Sequence, residues 1–267
     1  MGANFRNYLN TFVFETELPG SGTEISFRPV TTGQIKKLLL YETSQDPLSI
    51  EKALDELIED CVIKPEGFKV KDLYIQDRFY LMVEIRKATR GASYSFQSIC
   101  ASCGSQTQQV INLTHLPVTK LDKKYKPIET KKVTLPSTTV KQKKGRLVEK
   151  VDEIPEPIVK QEINEWDVVK INDNISVRLS LVTRALQQEA FDLFKANHPN
   201  PDNVSEIEKT LDITTLLYAL SIKSIITPEG EEEVPLEEKV FLLDNIRQEE
   251  QEKISKWYDN NDFGIDF

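Results

Sequence analysis

Cys100 and Cys103 are the residues best placed by type and spacing to do chemistry. They stand between Tyr94 and Leu113, with Gly104 directly after the second cysteine and a strand-like run on each side. Two thiolates three positions apart form one half of a zinc-ribbon site. A tetrahedral zinc ion needs four ligands, commonly thiolates or imidazoles. The rest of the chain offers Cys61, His115 and His198. His115 lies twelve residues past Cys103, at the end of the returning strand, and is a candidate third ligand. A second pair could also come from another subunit. The competing reading is a structural turn that holds no metal. A redox role fits less well, because thioredoxin-type pairs sit where a strand enters a helix N-terminus, whereas this pair joins two strands. Zinc is the only cofactor these residues suggest.

Other chemistry has no foothold. The sequence shows no phosphate-cradling Gly-rich loop, no nucleophile elbow and no paired metal-binding histidines. Carboxylates are abundant but fall in solvated clusters such as Glu231 to Glu233. The chain is therefore not expected to be an enzyme.

Composition narrows the class further. The 267 residues are 39% hydrophobic and 29% charged, with a net charge of −9. Such acidity argues against a general nucleic-acid binder. From Lys120 to Lys150, however, eleven Lys/Arg face three Asp/Glu, a net of +8. From Glu229 to Phe267, thirteen Asp/Glu face four Lys/Arg, a net of −9. These are either two solvated surfaces or two ends that dock on neighbours of opposite charge. The basic tract holds one aromatic, Tyr125, so it offers no stacking platform for single strands. Three cysteines do not make a disulfide framework. Met1 to Arg6 has no signal-peptide core, and no apolar run approaches the length of a membrane span. Synthesis in the cytoplasm is expected.

The elements that must position the cysteines come in order. Tyr8 to Glu17 and Glu24 to Val30 alternate around Pro19-Gly-Ser-Gly22 and predict a hairpin. Thr31 or Thr32 caps a helix, and Ser49 opens another, with Cys61 on its apolar face as a buried thiol. Asp72 caps a strongly apolar core helix that runs to Arg90 and ends at Gly91. Tyr94 to Ile99 and Gln108 to Leu113 are the strands around the knuckle, where Gly104 supplies a positive φ. Lys, Pro and Thr then dominate to about residue 164. Asn174 to Val182 is a strand, and Thr183 caps a helix that stops at His198-Pro-Asn-Pro201. A long helix is expected from Ser205 to Ile225, and a last helix pair begins with Pro235 at its first position. The pattern is α+β. It comprises an N-terminal module with the Cys-x-x-Cys hairpin over 1–116, an extended basic connector with short strands over 117–170, and a mostly helical module over 171–267.

Several pieces, taken in order, resemble the baseplate hub and baseplate-assembly proteins of T-even-type contractile-tailed phages. They are Phe27-Arg-Pro-Val-Thr-Thr-Gly33 leading into a Lys/Leu-rich helix, Asp77 to Arg86 closing on Arg90-Gly91, the strand–Cys-x-x-Cys–strand, and the C-terminal helices ending in Phe263-Gly-Ile265. The resemblance is strongest over 8–116, looser over 170–267 and weak between. It implies a non-enzymatic structural or assembly component of the tail baseplate, near the hub, located in the virion. Its partners would be other tail proteins, with neither a specific nucleic acid nor a membrane span. On that reading the contacts are Lys141, Lys143, Lys144 and Arg146 in the basic tract, and Trp257, Tyr258, Phe263 and Phe267 in the aromatic tail. Removing Asp259 to Phe267 would then weaken assembly without unfolding the monomer. The alternative is a zinc-ribbon-like, metal-dependent binding module.

Overall fold

The computed structural model describes residues 12–42, 47–122, 165–200 and 203–266. The architecture mixes helix with several small antiparallel sheets, as the α+β pattern requires. β1 (Phe14–Glu17), β2 (Glu24–Phe27) and β3 (Val62–Lys64) form the first sheet. It is backed by α2 (Pro47–Cys61) and α3 (Ile75–Arg90), which close a core around Leu18, Ile25, Phe27, Ile58, Leu81 and Ile85. Cys61 is buried in this core, and burial pushes its thiol up to about 11. The structural-thiol reading of Cys61 is thus the one its surroundings support.

Local signals explain most boundaries. α1 (Thr32–Glu42) opens with a reciprocal cap: Gln34 N–H donates to Thr31 Oγ1 at 3.3 Å, and Thr31 N–H donates to Gln34 Oε1 at 2.8 Å. α3 ends where Gly91 turns to φ 81°. α4 (Arg184–Asn197) is capped by Thr183, and α5 (Glu206–Ser221) by Ser205.

Four boundaries depart from expectation. α2 begins at Pro47 rather than Ser49, since proline lacks only an N–H that the first turn would leave unpaired anyway. α3 begins at Ile75 rather than Asp72. Leu73 and Tyr74 stay extended because their backbone bonds to the strand before α4: Arg184 N–H donates to Leu73 O at 2.8 Å and Ile75 N–H to Val182 O at 3.2 Å. α5 stops at Ser221, and Ile222–Thr227 forms β9, where β-branched residues pair with β8 (Ser176–Leu179). A four-stranded sheet, β10 (Gly230–Glu232)–β9–β8–β7 (Val168–Lys170), therefore joins the helices of the C-terminal part. Pro235 caps α6 (Leu236–Asn245) from outside rather than opening it.

The second core lies under that sheet. Val177, Leu179, Ile222, Ile254, Trp257 and Phe263 meet there. Trp257, on α7 (Gln248–Asn260), stacks on Trp166 and donates its indole N–H to Trp166 O at 2.9 Å. β11 (Gly264–Ile265) pairs with β6 (Val118–Thr119), which brings the end of the described chain back to its N-terminal half. Among the described residues, no helix is long and apolar enough to cross a membrane.

Candidate protein interface

β4 (Ser93–Ile99) and β5 (Gln106–Asn112) pair only with each other among the described strands. An isolated two-stranded hairpin is marginally stable in water, so its base must be held. Leu113 is buried there. Arg86 of α3 donates to Gly91 O at 3.0 Å and to Ser93 O at 3.1 Å, and its guanidinium sits 4.8 Å from the centre of the Tyr94 ring. One arginine thus ties the helix end, the turn and the first strand together.

The hairpin closes one side of an apolar groove of about 630 Å³. Leu38 of α1, Leu57 of α2, Phe79 and Met82 of α3, and Tyr94 and Ile111 of the hairpin line it. Arg86 and Arg90 lie on its lining. The sequence signal for this groove was the surplus of apolar residues on α3. Leu81 and Ile85 fill the core, Met82 packs against it while also lining the groove, and Phe79 is left half-exposed on the groove side. The expected core helix is therefore two-sided.

The hairpin's other face carries Val110 and, towards the tip, Ile99, which is 67% exposed. From Ser93 to His115 the chain holds no Asp, Glu, Lys or Arg, although 29% of the whole sequence is charged. An exposed, neutral, partly apolar arm is unusual for a free surface.

Cys100 and Cys103 occupy the arm's tip, both exposed. Gly104 adopts φ 69° as expected, and its N–H donates to Cys100 O at 2.9 Å. Cys103 Sγ lies 3.1 Å from Ser105 Oγ. The Ser105 hydroxyl first, then the Ser105 backbone N–H and the Cys100 thiol, hold the Cys103 thiol below its ordinary range. Among the described residues, no group of three or more His, Cys, Asp or Glu stands close enough to hold a metal. His115 sits past the hairpin's base, seven residues of strand away from the tip. His198 is engaged elsewhere, with Nε2 3.0 Å from Asp212 Oδ2 and its ring against Phe194.

The aromatic tail turns inward. Trp257 and Phe263 are core residues, and Tyr258 stacks on Tyr218 and donates to Ser221 Oγ, with burial pushing its phenol up to about 12. These rings hold the fold, and removing Asp259 to Phe267 would open the core instead of sparing it. Lys141, Lys143, Lys144, Arg146 and Phe267 lie outside the described residues.

The chain is thus an α+β fold that sets an anchored arm beside an open apolar groove. The family model described as T4 bacteriophage base plate protein matches residues 10–197, and the chain belongs to that family. The match takes in the groove and the whole arm. No curated protein and no solved structure matches it.

Proposed function

We propose that this baseplate protein is a non-enzymatic structural or assembly component of the hub region of a contractile tail, acting through protein–protein contacts. The observation that carries this is the groove between α1, α2, α3 and the arm. An apolar trough with arginines on its lining fits a neighbouring tail protein that presents an apolar segment with a carboxylate at one end. Arg90 would meet that carboxylate. The basic tract with Lys141, Lys143, Lys144 and Arg146 would serve as a second contact, for an acidic neighbour.

Phe79→Glu places a charge in the trough at a half-exposed position outside the buried cluster of the first core. The expected result is a chain with wild-type circular dichroism that no longer enters tails, as read by immunoblot of purified particles. Arg90→Glu should weaken incorporation more at low salt than at high salt. Wild-type incorporation of Phe79→Glu would overturn the groove as the contact.

A further inference from the structure

The tip of the arm has the chemistry of half a metal site, and the whole chain cannot supply the other half from soft ligands. Its cysteines are 61, 100 and 103 and its histidines are 115 and 198, and every one lies among the described residues. Cys61 is sealed in the first core, His115 lies past the base of the arm, and His198 is paired with Asp212. A strand rises about 3.3 Å per residue, so His115 is roughly 20 Å from the tip. Two thiolates alone leave a zinc ion half-coordinated, and among the described residues no third His, Cys, Asp or Glu stands with them, which points to a second molecule as the source of the missing ligands.

We propose that Cys100 and Cys103 bind zinc together with the same two cysteines of a second copy of this chain, joining two arms tip to tip. Two observations favour a second copy. The tip residues between and beside the cysteines, Ala101, Ser102, Gly104 and Ser105, are small and uncharged, so two tips can approach closely. The arm as a whole carries no ionised side chain, so the net charge of −9, which otherwise repels copies, is absent where they would meet. A two-fold axis through the zinc makes the contact closed and self-complementary. The turn that carries the two cysteines is closed by its own backbone: Gly104 holds the positive φ and donates its N–H to Cys100 O, and the Cys100 N–H donates to Ser105 O. Binding displaces the thiol protons, four per zinc, so affinity rises with pH. The metal would also staple a hairpin that two strands alone barely stabilise.

The test uses the full chain alone, reduced, and titrated with zinc and then with cobalt. It does not depend on the groove's partner. Elemental analysis should give one zinc per two chains, and light scattering should give a dimer that EDTA returns to monomer. Cobalt should show the absorption of tetrahedral thiolate coordination. Cys100→Ser and Cys103→Ser are exposed changes and should abolish metal and dimer together, while Cys61→Ser should abolish neither. No bound metal, one zinc per monomer, a Cys100–Cys103 disulfide that persists under reductant, or zinc retained only in complex with a different tail protein would each overturn the pairing of two copies.

Discussion

Arg184 Nε donates to Asp55 Oδ2 at 2.9 Å across 129 positions of sequence, and the other Asp55 oxygen accepts from Arg78 Nε at 2.6 Å. One carboxylate thereby clamps α2, α3 and the start of α4. Arg184 is only 2% exposed, and among the described residues its Nη2 makes no hydrogen bond, with Glu51 Oε2 at 3.9 Å. Asp55→Ala strips two buried guanidinium groups of their shared partner and should cost about 3 kcal/mol. Arg184→Met leaves Asp55 still paired with Arg78 and should cost less. Urea denaturation of both variants checks the order, with m unchanged.

Gly20 and Phe263 are in mutual contact across the molecule. A Cβ on Gly20 would fall 2.2 Å from Phe263 Cε2 and 3.0 Å from Asp77 Oδ1. Asp77, fully buried, accepts from the Gly20 and Ser21 N–H groups at 2.7 and 2.9 Å, so the turn cannot back away cheaply. Gly20→Ala should cost about 1–3 kcal/mol by overpacking, and Phe263→Ala about 3–5 kcal/mol by cavity formation. In the double variant the methyl enters the space the ring vacates. The combined loss should fall short of the sum by at least about 1 kcal/mol, measured as a double-mutant cycle.

Glu231 sets part of the acid limit. Hydrogen bonds from Arg178 and then from Ser224 hold its carboxyl down at about 2, from an ordinary 4.5. Because the folded value lies below the unfolded one, this stabilisation is complete above about pH 4.5 and fades as pH falls towards 2. Glu231→Gln should lower the melting temperature at neutral pH, and the gap to wild type should close between those two pH values. A gap that stays constant throughout would show that Glu231 does not titrate this way.

Much of this was legible wherever a local rule governs. The caps at Thr31 and Thr183, the start of α5 at Ser205, the turns at Gly91 and Gly104, and the strand runs of β4 and β5 depend on neighbours a few residues away. The end of α5 was not legible, because Ile222, Ile225 and Ile226 suit a helix face and a strand equally until β8 lies alongside. Tyr74 could not be seen to stay extended, since Thr183, its bridging partner, is remote. The inward turn of Trp257 and Phe263 was not legible for the same reason. An acidic, aromatic stretch looks alike whether its rings face a partner or face Trp166, Tyr218 and Gly20. The arm's lack of charge was present in the sequence throughout, as a gap in composition that no motif marks.

The two cores also impose an order of events during synthesis. Every residue of the first core lies between Leu18 and Ile85, so it can condense while the ribosome is still making the rest. The second core includes Leu121 and Phe263 and cannot close until both have emerged. Until then Gly20 and Tyr74 keep an empty seat for a ring that arrives late. Through that interval the nascent chain carries a complete first core beside a socket that only Phe263 fills.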